Sequence, residues 1–177
     1  MSWDAQQLER HLTTMASAIT EQYGDRGPLL VGIESGGAWV AQALNDKLPK
    51  PLPLGTLNPA FYRDDFDTRG LKRTVTPSKL PFEVEGQHIL LVDDVLMTGR
   101  TIRAAMNELF DFGRPASISL AVLFDIGHRE LPIRADICGE TLALPPHQRV
   151  ELRGPSPLIA EIRDLPSGDE TQTRSQE

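Results

Sequence analysis

The stretch ILLVDDVLMTGRT, residues 89–101, sets an apolar run directly before two acids, Asp93 and Asp94, and follows them with hydroxyl and glycine residues. The apolar run has the length of a buried strand, and Ile102, Ala105, Met106, Leu109 and Phe110 then recur at helical spacing. Between strand and helix, Met97-Thr98-Gly99-Arg100-Thr101 offers backbone N–H groups, two hydroxyls and a glycine that permits close approach. The first N–H groups of the helix and its dipole both favour an anion there. The two carboxylates need a different partner, because beside a phosphate they would repel it. They suit ligand hydroxyls, which donate hydrogen bonds to them, or an indirect hold on a divalent cation. A sugar phosphate satisfies both halves.

Other readings of the pair fare worse. Capping a helix and complementing its dipole is a role for one acid rather than two at the end of a buried strand. Neither the P-loop pattern G-x-x-x-x-G-K-S/T nor the dinucleotide fingerprint G-x-G-x-x-G occurs in the chain. A phospho-receiver domain also starts from an acidic pair, and Asp125 ends the next strong strand. That domain needs a later lysine, and none follows Lys79.

A turn of this kind must be held by alternating strands and helices. Leu8, Leu12, Met15, Ala16 and Ile19 form a helical stripe ended by YGDRGP, and LLVGI then reads as a buried strand running into ESGG. Val40, Ala41, Leu44 and Leu48 make a second stripe, stopped by LPKPLPLG. LGTLNPAFY is extended and leads into a charged stretch from Arg63 to Lys79, a length that marks a lid or a surface loop. SISLAVLFDI is the strongest strand after the acids, with a shorter one at ADICG, and FGRP supplies the glycine and proline that end the intervening helix. The alternation predicts a parallel sheet covered on both faces.

At 177 residues the chain suits one α/β domain, expected over residues 1–166, with a polar tail over 167–177 that frays. The net charge of −7 argues against a nucleic-acid binder. The basic candidates Arg69, Lys72, Arg73, Arg129 and Arg134 read as solvated surface. No apolar stretch approaches the roughly 20 residues of a membrane span, and MSWDAQQLERHLTTM lacks the order of a signal peptide. A cytoplasmic protein with no membrane partner is expected. The single cysteine, Cys138, reads as a core residue.

ILLVDDVLMTGRT resembles the phosphoribosyl pyrophosphate motif of type I phosphoribosyltransferases. YRDDF, VDDVLMTGRTIRAAMNELFDFGRP and GHRELPIRAD narrow the resemblance to the PyrR family, bifunctional pyrimidine operon attenuation regulators with uracil phosphoribosyltransferase activity. The likeness runs from about Leu8 to Leu165. It implies the type I phosphoribosyltransferase fold, a parallel sheet flanked by helices, with a small hood from the chain ends and the segment after LFDIG. It also implies transfer of phosphoribose from phosphoribosyl pyrophosphate (PRPP) to uracil, giving UMP and pyrophosphate, with Mg2+ carried on the pyrophosphate, in a homodimer or homotetramer.

By position, the resemblance gives Asp93 and Asp94 to the ribose hydroxyls, and Val95, Leu96, Met97, Thr98, Gly99, Arg100 and Thr101 to the segment that binds the 5-phosphate. Ser35, Gly36 and Gly37 would approach the leaving pyrophosphate. Tyr62, Arg63, Asp64 and Asp65 would open a mobile loop that closes over the centre, with Arg63 joining Asp93 and Asp94 at the chemistry.

Departures from the family pattern carry their own expectations. Where the family usually reads T-R-G, this loop reads Glu34-Ser35-Gly36-Gly37, so turnover is expected to be weaker or to draw on Arg63, Lys72 or Arg73. The family's T-R-I-A-H is Thr13-Thr14-Met15-Ala16-Ser17 here, Ile126 replaces a common arginine, and CGETLALPP lacks a lysine after its glycine. RNA contact is therefore expected to be weak. The competing expectation is a largely non-catalytic, nucleotide-sensing regulator that acts through RNA. His128 is expected to be a turn residue with a satisfied hydrogen bond.

Overall fold

A computed structural model describes residues 1–59 and 77–165. The expected loop at Tyr62–Asp65 and the expected tail over 167–177 lie outside the described residues. In chain order the elements are β1 (Ser2–Trp3), α1 (Ala5–Tyr23), β2 (Leu29–Ile33), α2 (Gly36–Lys47), β3 (Leu54–Leu57), β4 (His88–Leu96) and α3 (Arg100–Asp111), followed by β5 (Ser117–Asp125), β6 (Ile137–Thr141), β7 (Gln148–Arg153) and β8 (Ile159–Asp164). Five strands form a parallel sheet in the order β3-β2-β4-β5-β6. The other three form a small antiparallel sheet, β1-β8-β7, the hood that joins the two ends of the chain. No described helix is long and apolar enough to cross a membrane.

The period of two in β4 divides the interior. Leu90 and Val92 pack with α1 and α2, whereas Ile89 and Leu91 pack with Ile102, Ala105 and Leu109 of α3. Both faces of the sheet are thus covered, and its strands read as continuous apolar runs for that reason. Helix α1 starts from a capping box: the Asp4 side chain accepts from the Gln7 N–H at 2.8 Å, and the Gln7 side chain accepts from the Asp4 N–H at 2.9 Å. Such caps contribute about 1 kcal/mol. The helix stops at Gly24, whose φ of +56° lies in the left-handed region.

The α3 stripe is narrower than its spacing suggests, because Phe110 is 52% exposed. Residue 110 sits about 80° round the helix from residue 102, at the margin of the arc that the sheet covers. The hood rests on the sheet through Trp3, whose ring lies 4.7 Å from that of Phe124 and whose Nε1 donates to Glu140 at 2.7 Å. Val150, Leu152 and Ala160 of the hood join the same core as α1 and α2.

The order of the strands sets the position of the site. From β2 the chain turns through α2 to β3 on one side, and from β4 it turns through α3 to β5 on the other. The β2–β4 boundary is therefore a switch point, and a crevice opens outside the carboxyl ends of these two strands.

Candidate active site

Strand β4 outruns its neighbour β2. Their last paired residues are Gly32 and Val92, while pairing with β5 continues to Leu96 and Asp125. Asp93 and Asp94 thus stand within the final stretch of β4 rather than after it. β5 supports them on one side, and the crevice lies on the other. Asp94 Oδ2 faces Gly36 and Asp93 Oδ1 faces Gly37, both at the start of α2.

Asp93 is 3% exposed. Its Oδ1 accepts from the Asp94 N–H at 2.9 Å, and Asp94 Oδ1 accepts from the Val95 N–H at 3.0 Å. These bonds to the next residue orient each carboxylate along the strand. Neither acid caps α3, which begins at Gly99 with no side-chain cap bond.

The segment after β2 crosses the crevice. Glu34 N–H donates to Leu57 O at 2.8 Å, the Glu34–Ser35 peptide is cis, and α2 starts at Gly36. A Cβ on Gly36 would stand 2.2 Å from Asp94 Oδ2, and one on Gly37 would stand 2.5 Å from Val92 O and 3.0 Å from Asp93 Oδ1. Only residues without side chains let the first turn of α2 lie this close to the carboxylates. The amide groups of that turn have no partners within the helix and carry the positive end of its dipole. No cationic side chain stands in this loop, and Ser35 is exposed and makes no cap bond.

The turn after β4 is built from backbone. Gly99 has φ +91°, a conformation that costs other residues about 1–2 kcal/mol. Thr98 is 8% exposed, and its Oγ1 accepts from the Arg100 N–H at 3.1 Å. Its carbonyl accepts from the N–H groups of Glu130 and Leu131 at 3.0 and 3.2 Å. The Arg100 side chain turns outward to Glu130 at 2.6 Å, so residue 100 serves the turn through its N–H alone. Leu96 lies in the core on the α3 side, and Val95 and Met97 pack against the core on the α1 and α2 side, which leaves these three to act through their main chain.

The described residues expected at the site thus gather at the carboxyl end of the sheet: Ser35, Gly36 and Gly37 at the start of α2, Asp93 and Asp94 between the helices, and Met97–Thr101 at the start of α3. His128 behaves as its setting predicted, with φ +60° and Nε2 2.7 Å from Leu144 O. Arg129 does not. Read from sequence as solvated surface, it is 25% exposed at its side chain and points at the turn after β4. The available signal was an acid four residues before it, Asp125, at the end of a buried strand.

The family model for the phosphoribosyl transferase domain matches residues 3–141. The bifunctional protein PyrR of Pseudomonas syringae pv. tomato is 54% identical over 159 residues, covering 90% of this chain and 94% of that protein. The bifunctional protein PyrR of Pseudomonas entomophila is 61% identical over 138 residues, covering 78% and 80%. Among solved structures, a hypoxanthine-guanine phosphoribosyltransferase from Bacillus anthracis superposes with a TM-score of 0.69 at 16% identity, covering 89% of this chain and 95% of that one. That likeness shows the fold. A hypoxanthine phosphoribosyltransferase from Staphylococcus aureus agrees, with a TM-score of 0.65 at 18% identity and coverage of 91% and 90%. With a transferase crevice at the switch point and close relatives over nine-tenths of its length, the chain belongs to the PyrR family of phosphoribosyltransferases.

Proposed function

We propose that this protein is a cytoplasmic uracil phosphoribosyltransferase that converts PRPP and uracil into UMP and pyrophosphate. The observation that carries the reading is the close approach of Gly36 to Asp94. It sets an anion-favouring helix start against the hydroxyl-accepting acids, with a second helix start just beyond them. A ribose with phosphate groups at both ends matches that order. The 5-phosphate takes the N–H groups of Met97–Thr101, the ribose hydroxyls donate to Asp93 and Asp94, and the leaving group lies at Ser35–Gly37.

As the anomeric bond breaks, positive charge builds on the ribose, as in glycoside chemistry, and the two carboxylates stabilise it. The departing oxygens gain negative charge against the N–H groups of α2. The donor set fits magnesium, since Asp93 and Asp94 present hard oxygen atoms and magnesium takes most of its remaining shell from water and substrate phosphates. When bound, Mg2+ neutralises charge on the pyrophosphate. Tyr62, Arg63, Asp64 and Asp65 are assigned to the loop over the centre from family position. Uracil and a homodimer or homotetramer rest on kinship with the PyrR relatives.

The test is direct: purified protein with uracil, PRPP and Mg2+, followed for UMP. Absence of turnover across a range of pH, with UMP still bound, would sink the enzyme reading. It would leave the second one, a nucleotide-sensing regulator acting through RNA. Glu34 and the exposed Ser35 favour that reading, because an acid and a neutral residue stand where the family carries arginine. The RNA half of it has little basic surface to use. Thr13, Thr14 and Ser17 are exposed on α1, and their hydroxyls donate to the carbonyls of Glu9, Arg10 and Thr13. An RNA complex whose affinity falls steeply with salt would support the regulator.

A further inference from the structure

We propose that Arg129 is a positioning residue for the phosphate turn, holding the carbonyls on the inner side of the turn so that the intervening N–H groups face the ligand. The inference rests on the reading of Met97–Thr101 as the 5-phosphate site.

Arg129 lies in the loop after β5 and reaches back across the end of the sheet. Its Nη1 donates to Met97 O at 2.7 Å and to Gly127 O at 3.2 Å, with Leu96 O at 3.5 Å. Its Nε donates to Ile133 O at 2.8 Å, and its Nη2 to Asp125 Oδ2 at 2.5 Å. The second carboxylate oxygen of Asp125 accepts from the Gly127 N–H at 3.1 Å. Asp125 therefore fixes both the guanidinium and the start of the loop that carries it. Both side chains are mostly covered, 25% and 18% exposed, so the charge is paired where water would otherwise be needed.

The consequence for the turn follows from peptide geometry. In a trans peptide, the carbonyl of one residue and the N–H of the next lie in one plane and point in opposite directions. Holding Met97 O against Arg129 turns the Thr98 N–H the other way. The same loop holds Thr98 O with the N–H groups of Glu130 and Leu131, which turns the Gly99 N–H the other way as well. Two successive carbonyls are thus fixed on the loop side, and successive N–H groups are aligned on the opposite side, as in a backbone anion nest. The planar fork of arginine is needed to reach the carbonyls of Met97, Gly127 and Ile133 and the Asp125 carboxylate together. A lysine would offer one point charge on a flexible stem.

The test compares a ligand that carries the phosphate with one that lacks it. UMP and uridine are titrated calorimetrically into the full-length wild type, Arg129→Lys and Arg129→Gln, with Asp125→Asn as the variant that keeps the arginine should the others fail to fold. The expected result is a drop of tenfold or more in UMP affinity, with uridine affinity changed less than twofold. Equal losses for both ligands would make Arg129 merely structural, and an unchanged preference for UMP would remove it from the site; either overturns the proposal. If the wild type itself binds UMP no better than uridine, the phosphate-site reading fails first and takes this inference with it.

Discussion

Gly36 lies so close to Asp94 that a methyl group on its Cα would stand 2.2 Å from the carboxylate Oδ2. Gly37, the next residue, faces backbone instead: its Cβ would meet Val92 O at 2.5 Å and Asp93 Cα at 2.9 Å. The two neighbours are therefore required for different reasons, one by a side-chain carboxylate and the other by strand backbone.

The variants Gly36→Ala and Gly37→Ala should separate accordingly. In Gly36→Ala the Asp94 side chain swings aside. The better helix propensity of alanine, up to about 1 kcal/mol, offsets part of the strain. Stability should fall by less than about 1.5 kcal/mol, while PRPP affinity falls tenfold or more. Gly37→Ala forces the helix off the sheet and should cost about 3 kcal/mol or more. Urea denaturation alongside PRPP titration measures both; equal stability losses in the two variants would contradict the distinction.

Cys138 provides a pH test. Burial pushes its thiol above the ordinary value, the Thr141 hydroxyl opposes this, and the Asp125 charge adds to the rise. The folded state therefore holds the proton more tightly than the unfolded chain does. The stability that this provides is fully present below the unfolded thiol value and is lost as pH rises through the folded one. Between about pH 8 and 10, where free thiols ionise, the wild type should lose stability more steeply than Cys138→Ala. Parallel curves from urea midpoints would show that ionisation at this residue is the same in both states.

Periodicity made the helices and strands legible, because burial of α1, α2 and both faces of β4 imposes 3.6- and 2-residue spacings on the chain itself. Asp93 and Asp94 stood out for a related reason: two acids joined to a buried strand violate its pattern, and such violations mark sites. What stayed hidden was set by contacts remote in sequence. The partners of Arg129 at Leu96 and Met97 are 33 and 32 residues away, so Asp125, four residues earlier, is the one local mark that sets this arginine apart from the exposed Arg134. The continuation of β4 through its acids depends on pairing with β5, and the meeting of Gly36 with Asp94 depends on strand order. Neither leaves a spacing that can be read.

Gly99 offers a test of the proposed phosphate turn that separates steric from conformational cost. Its φ of +91° disfavours any side chain, and a Cβ there would also stand 3.0 Å from Ile133 Cγ1. Gly99→Ala should lose about 1–3 kcal/mol of stability. Adding Ile133→Ala removes the Cγ1 contact, keeps the residue 133 Cβ at 3.1 Å and leaves the backbone conformation unchanged. A double-mutant cycle should therefore recover only part of the loss, with a coupling of about 0.5–1 kcal/mol. Full recovery would mean that the backbone strain is negligible; no recovery would mean that the turn had already moved.

The acids themselves can be neutralised with little disturbance of the fold. Oδ1 of each carboxylate accepts a backbone N–H from the following residue. Asparagine keeps one acceptor oxygen of the same reach, so the double variant Asp93→Asn, Asp94→Asn retains both local bonds. It loses the negative charge that the proposed reaction sets against a developing positive ribose, and each new amide group would donate where the ribose hydroxyls are proposed to donate. PRPP binding should therefore fall by a hundredfold or more, while the urea midpoint shifts by no more than about 1 kcal/mol of stability. Calorimetric titration with PRPP and Mg2+ measures the first quantity and denaturation the second. Unchanged donor affinity would return both acids to a purely structural place at the end of β4. A collapse of the fold with no folded fraction left to titrate would show that the charge, and not only the Oδ1 acceptor, is needed to hold Val95 and the turn that follows.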